Sequence, residues 1–199
     1  MTRFGYVLVT IVIAQLFIAL FTAVAWLSPQ PRLLWNASAS AQIGLYRLYP
    51  GDAPIDGDMV AYRPSTALAR LMANRHYLPD GVPLLKHVAA RPGATICRRD
   101  AVVTIDGRMV ATARATDSHG RPLPVWRGCR VLRADQLFLL NPAPDSLDGR
   151  YFGPVPASGL IGRATPILTR DTPDAPLRWR STPARKAQTI TPQGDVPCK

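Results

Sequence analysis

From Phe4 to Leu27 the chain reads FGYVLVTIVIAQLFIALFTAVAWL, about 24 residues with no charge and with Gln15 the only strongly polar side chain. A helix that is apolar on every face over this length has no place in an ordinary soluble core, so this run constrains everything that follows. At 1.5 Å per residue it measures about 36 Å, enough to cross a hydrocarbon layer of about 30 Å with some tilt. Arg3 precedes it and Trp26 lies at its far edge, where interfacial aromatics belong. Positive-inside counting sets Arg3 and the N-terminal amine against Arg32; we read the N-terminus as cytoplasmic and the bulk of the chain as lying outside. The competing reading is a cleaved signal peptide, for which Ala23-Val24-Ala25 is a better placed cut site than Ala37-Ser38-Ala39, beyond Pro29 and Pro31. An apolar signal-peptide segment is about 7 to 15 residues long, shorter than this run, and that favours a retained anchor over residues 1–30.

The pattern changes after Pro31. IGLYRLY, then the turn signals of PGDAPIDGD, then MVAYRP predict strand, turn and strand. Residues 65–78, STALARLMANRHYL, have near-helical apolar spacing and predict the one short soluble helix, with Ser65 or Thr66 as its cap. PLLKHVAARPGATICRR, AVVTIDGRMV and QLFLLNPAP read as further strands, and TDSHGRPLPVWRGCRVL as an excursion that returns to one. With 20 prolines and 14 glycines, residues 31–169 are expected to be a mainly β domain. Residues 170–199 are Pro-rich, basic and aperiodic, and are expected to be a disordered tail.

Lys plus Arg number 24 against 13 Asp plus Glu, a net charge of +11. That balance suits an anionic membrane surface, and a plain solvated basic surface fits it equally. The basic residues are scattered and carry no zinc-finger, helix-turn-helix or ribonucleoprotein signature, so no nucleic-acid partner is expected. The three cysteines, Cys97, Cys129 and Cys198, have no CxxC spacing, and no metal or cofactor is expected. In an exported domain Cys97 and Cys129 can close a loop of about thirty residues, worth roughly 3 to 4 kcal/mol in the chain-entropy model, leaving Cys198 as the odd thiol. In a cytoplasmic protein all three are free thiols or small apolar residues.

Three kinds of chemistry compete for the remaining polar residues. A Ser-His-Asp triad could draw on His76, His87 or His119, but no serine sits in a GxSxG elbow. A histidine metal site lacks the close spacings that put two ligands on one face. A serine with a lysine base needs an amine that is neutral near pH 7, which means lowering a pKa of about 10.4 by about 3 units through burial. Lys86 in PLLKHVAA is the lone amine of an apolar run, and the other lysines, Lys186 and Lys199, fall in the tail. The alternative for Lys86 is an outward-facing residue on a half-buried strand. His87, its neighbour on a strand, points to the opposite face.

Taken in order, NASASAQIGLYRL, LLKHVAARPGATI and DSLDGRYFGPVP resemble the three boxes of the type I signal peptidase family, and more closely its conjugative-transfer branch, the TraF-type peptidases that mature pilin precursors. The resemblance covers residues 36 to about 168. It implies a signal-peptidase-like β catalytic domain, with Ser40 as nucleophile and Ser38 helping the Ser40 N–H form the oxyanion hole. It further implies Lys86 as general base, Ser146 orienting the lysine amine, and Asp148 and Arg150 in support. Two positions depart from the pattern: Gln42 stands where TraF-type members carry proline, which bears on groove shape, and Gly149 stands where many signal peptidases have serine, which bears on local packing. The implied partners are a pilin-like precursor substrate, the lipid bilayer and a conjugation apparatus, and the implied location is the cytoplasmic (inner) membrane, single-pass, with the catalytic domain periplasmic. Water or the substrate's own N-terminal amine could resolve the acyl-enzyme.

The residues also admit blander readings. Asp145 and Asp148 could be turn residues with Gly149 left-handed, and Asn36-Ala37-Ser38 is an incidental sequon. The whole chain could be a non-catalytic anchored scaffold of a secretion or pilus assembly. A cytoplasmic Ser-Lys self-cleaving repressor is opposed by the apolar segment.

Overall fold

The computed structural model describes residues 3–27 and 30–181. The chain divides into two compact units, Met1–Pro31 and Arg32–Lys199. The first contains one helix, α1 (Arg3–Leu27), of 25 residues with a mean hydropathy of 2.7 over its most apolar window and no buried residue. Leu16, Phe17 and Phe21 are among its exposed side chains. Its length and composition suffice to cross a membrane.

The second unit is mainly β. An eight-stranded sheet runs in the order β1 (Leu33–Asn36), β2 (Ile43–Tyr49), β11 (Leu160–Arg170), β3 (Met59–Tyr62), β4 (Leu84–Ala90), β9 (Gln136–Leu140), β10 (Val155–Pro156), with β12 (Arg178–Trp179) pairing β11. A four-stranded sheet follows the order β7 (Arg108–Thr112), β6 (Val102–Ile105), β5 (Thr95–Arg99), β8 (Gly128–Val131). The helices are α2 (Thr66–Asn74) and a single turn, α3 (Gly149–Phe152).

In β2 the two-residue period of a half-buried strand holds: Gly44, Tyr46 and Leu48 are buried while Arg47 is exposed. Gly44 has a φ of +145°, and a Cβ there would lie 2.1 Å from the Leu168 carbonyl oxygen of β11, so no larger residue fits. β4 behaves differently: it is an inner strand between β3 and β9, and side chains pack against both its faces. Leu84 and Val88 join the cluster of Val60, Leu68, Met72 and Leu139 on the α2 side, while Leu85 packs with Tyr46, Leu48 and Ala61 on the other. Lys86 falls between Leu84 and Val88 in that alternation and is only 2 % exposed. The outward-facing alternative for Lys86 is therefore wrong.

Ser65 caps α2 by accepting from the Leu68 N–H, but the helix ends at Asn74 and the chain reverses at His76 (φ 57°), short of the expected residue 78. Tyr77 and Leu78 leave the helix to pack against its cluster. The sequence also concealed α3. Asp148 is its N-cap, accepting from the Arg150 N–H, and Gly149 is helical rather than left-handed. The Gly149 Cα instead faces the Leu139 carbonyl and the Phe138 ring, where a Cβ would come within 2.7 Å and 2.8 Å.

Residues 170–181 correct the expectation of an unstructured tail. β11 runs through Arg170, and the chain returns so that β12 pairs Trp179 with Leu168 and Arg178 with Thr169. Lys186, Cys198, Lys199 and the rest of the tail from residue 182 lie outside the described residues.

Candidate active site

The stretch between β1 and β2 carries the serines. Asn36, at the end of β1, organises it: its side-chain N–H groups donate to the carbonyls of Ser38 (2.8 Å), Ala41 (3.3 Å) and Gln42 (2.9 Å), and its Oδ1 accepts from the Ser38 N–H (3.0 Å). This is the Asx chemistry of a tight turn, and the incidental sequon hid it from the sequence reading. Within the loop, Ser38 Oγ and Ser40 Oγ share a hydrogen bond of 3.0 Å, and the Ser40 N–H donates to Ser38 Oγ at 3.4 Å. The Ser38 hydroxyl thus touches both the side-chain oxygen and the backbone N–H of Ser40.

Lys86 enters from β4. Its ammonium donates to Ser146 Oγ at 2.6 Å, and Ser146 is itself buried. Burial lowers the Lys86 pKa from 10.5 to about 8; the Asp148 carboxylate opposes that shift, while the Arg150 guanidinium adds to it. The offset from Asp148 is limited because Asp148 and Arg150 are themselves a buried pair. Asp148 Oδ1 accepts from Arg150 Nε at 2.8 Å and Oδ2 from Nη2 at 3.0 Å. Arg150 Nη2 also donates to the Asn141 carbonyl (2.6 Å) and Nη1 to that of Pro144 (3.3 Å), closing the loop that carries Ser146.

Ser38, Ser40 and Lys86 line two cavities, of about 360 Å³ and about 430 Å³, that meet at these residues. Ser146 and the carboxylates of Asp117 and Asp145 line the first; Trp35, Pro83 and Leu84 line the second. Ser40 Oγ bonds Ser38 and Lys86 bonds Ser146, and among the described residues the two partners are not directly hydrogen-bonded. None of His76, His87 and His119 lines either cavity, which removes the residues of a Ser-His-Asp triad from the cleft. His87 instead bonds the Gly57 carbonyl through Nδ1, on the face away from Lys86.

Asn141 is the residue the sequence did not announce. Buried at 3 % exposure, it donates through Nδ2 to the Ser40 carbonyl (2.9 Å) and to the Leu85 carbonyl (3.1 Å), and its backbone N–H donates to Asp148 Oδ2 (2.9 Å). One side chain joins the serine loop, the strand of Lys86 and the turn of Asp148. Two further donors hold that turn from outside: Trp126 Nε1 to the Gly149 carbonyl (2.9 Å) and Arg98 Nη1 to the Arg150 carbonyl (2.5 Å). Arg98 and Trp126 are positioned by β5 and by the approach to β8, which the Cys97–Cys129 disulfide links across the Cys97↔Cys129 register pair.

Residues 4–169 match the family model described as signal peptidase, peptidase S26. The chain belongs to this family. It is 38% identical over 146 residues, covering 68% of this chain and 82% of the relative, to the conjugal transfer protein TraF of Agrobacterium fabrum. It is 35% identical over 144 residues, 67% of this chain and 76% of the relative, to the probable conjugal transfer protein TraF of Sinorhizobium fredii, and 30% identical over 146 residues, 67% and 81%, to the plasmid transfer protein TraF of Escherichia coli. A signal peptidase I of Enterococcus faecalis aligns with a TM-score of 0.35 at 20% identity, covering 57% of this chain and 98% of that one. In this S26 chain Ser40, Lys86 and Ser146 line one cleft, and Asp148 and Arg150 form a buried pair.

Proposed function

We propose that this S26 family member is a membrane-anchored serine endopeptidase that uses a Ser40–Lys86 dyad to cut a pilin-type precursor next to small residues, in support of conjugative transfer. The observation that carries the reading is the buried Lys86, with its pKa lowered to about 8, in the cleft that Ser40 also lines. A neutral amine there takes the Ser40 proton as the oxygen attacks the scissile carbonyl. The Ser40 N–H and the Ser38 hydroxyl turn to the developing oxyanion, a contribution of a few kcal/mol for each donor of this kind. Ser146 directs the amine, and the protonated lysine gives its proton to the leaving amine. Water, activated in turn by Lys86, or the N-terminal amine of the substrate then releases the acyl group. Asp148 and Arg150 hold the turn of Ser146 in place.

The TraF names of the relatives support the conjugative setting and a conjugation apparatus as partner. The length and hydropathy of α1 support a retained single span in the cytoplasmic membrane. The Cys97–Cys129 disulfide supports a catalytic domain on the oxidising, periplasmic side. The test is mass spectrometry of a pilin precursor co-expressed with wild type, Ser40→Ala, Lys86→Ala and Lys86→Arg. Uncut precursor with all three variants, each folded and membrane-bound, is the expected result, and product mass separates hydrolysis from cyclisation by one water. Normal processing by the variants would overturn the dyad and leave a scaffold.

A further inference from the structure

Gln42 lies two residues after Ser40, and its side chain is held by Thr169 at the end of β11 and by Asp171 just beyond it, where the sequence predicts an unstructured tail to begin. Gln42 Nε2 donates to Asp171 Oδ1 at 2.7 Å, and Gln42 Oε1 accepts from Thr169 Oγ1 at 3.2 Å. Arg180, just after β12, completes the clasp: Nε donates to Thr169 Oγ1 (2.9 Å) and Nη2 to Asp171 Oδ1 (2.6 Å), while its backbone N–H bonds the Ile167 carbonyl (2.8 Å). The Gln42 carbonyl is tied from inside the domain by Asn36 Nδ2 and by Tyr46 OH at 2.8 Å. Burial pushes the Tyr46 hydroxyl up to about 12, and Arg180 is the charge that opposes this shift.

We propose that residues 171–180 form a strap that positions the nucleophile loop through Gln42, making the peptidase activity depend on its C-terminal segment. The inference rests on the reading of Ser40 as nucleophile. Glutamine leaves its own backbone free to rotate, whereas proline would fix φ near −65° by itself. In this chain the bond that Gln42 accepts from Thr169 and the bond it donates to Asp171 supply the restraint, and Arg180, donating to both Thr169 and Asp171, orders them. Removing or displacing the strap therefore loosens the loop between Asn36 and Gln42, where Ser38 and Ser40 must both meet one substrate carbonyl. A displacement of the order of 1 Å at such a site is felt in turnover more than in binding. Asp171 and Arg180 line neither cavity at Ser40, so Gln42 and the strap act as positioning residues.

The test measures kcat and KM of the purified full chain on a precursor peptide for Gln42→Ala, Asp171→Ala, Asp171→Asn, Arg180→Ala, the double Gln42→Ala/Asp171→Ala, Gln42→Pro, and Ser40→Ala. We expect kcat to fall roughly fivefold in Gln42→Ala, Asp171→Ala and Arg180→Ala, as losing a partly exposed charge-assisted hydrogen bond would give, with KM little changed. Asp171→Asn retains an acceptor and most of the activity. The double variant is no worse than Gln42→Ala alone, since Asp171 acts on the loop only through the Gln42 side chain. Gln42→Pro exceeds Gln42→Ala. Folded Asp171→Ala and Arg180→Ala enzymes with unchanged kcat, beside an inactive Ser40→Ala, would overturn the strap and leave the peptidase reading intact. An active Ser40→Ala would overturn both.

Discussion

Replacing Lys86 by methionine should make the domain more stable at neutral pH while abolishing its activity. The amine is 2 % exposed, and its pKa falls from 10.5 to about 8 chiefly through burial. That fall corresponds to about 3 kcal/mol against the protonated form in the folded state. Because the folded-state pKa lies below the unfolded one, the unfolded chain holds this proton more tightly between pH 8 and 10.5, so wild-type stability rises with pH across that window and the cost of the lysine is fully present below it. Between pH 7 and 9.5 the linkage amounts to about 2 kcal/mol. Methionine matches the length of the stem and adds no charge, at the expense of the Ser146 hydrogen bond, about 1 kcal/mol. Denaturant unfolding of both proteins in detergent at pH 7 and pH 9.5 measures it: the advantage of Lys86→Met should shrink by about 2 kcal/mol at the higher pH. A difference independent of pH would mean that burial does not depress the Lys86 pKa, and the argument for a neutral base would fail with it.

The supporting residues give further expectations. Asn141→Ala leaves the carbonyls of Ser40 and Leu85 without their donor and should cost about 1 to 3 kcal/mol in unfolding measurements, with kcat falling more than KM changes. Asp148→Ala strands a buried Arg150 and removes the α3 cap and the acceptor for Asn141 N–H; destabilisation of about 3 to 5 kcal/mol by denaturant titration is expected. Reduction of Cys97–Cys129, which are 32 residues apart, should lower stability by about 3 to 4 kcal/mol, read as a reductant-dependent fall in Tm that is absent in a Cys97→Ser/Cys129→Ser double variant.

How much of this was legible in the sequence depended on how local its cause was. The strand of Lys86 could be read because an apolar run bounded by Pro83 and Pro92 predicts a buried strand, and a lone amine within it stands out. That Lys86 is buried rather than outward-facing depended on what packs over its face of β4, the cluster of Leu68, Met72 and Leu139 that Leu84 and Val88 join, a fact of tertiary packing that a single strand does not carry. Asn141 escaped for the same reason: its two bonded carbonyls lie 101 and 56 residues away along the chain. The strap escaped because a two-residue strand such as β12 has no period to detect, and its pairing is set by the length of β11. The three serines were recognisable from their boxes, but side chains that hold those boxes together act on carbonyls far along the chain: Arg98, Trp126 and Asn141 reach partners 52, 23 and 101 residues away.

The pH dependence of kcat/KM for the purified, full-length enzyme on a precursor peptide tests the central claim most directly. A neutral Lys86 acting as base predicts a rate that rises tenfold per pH unit below a single apparent pKa near 8 and levels above it, with Ser40→Ala and Lys86→Arg inactive at every pH. A rate that is flat from pH 6 to about 9, or an active Lys86→Arg enzyme, would contradict the account.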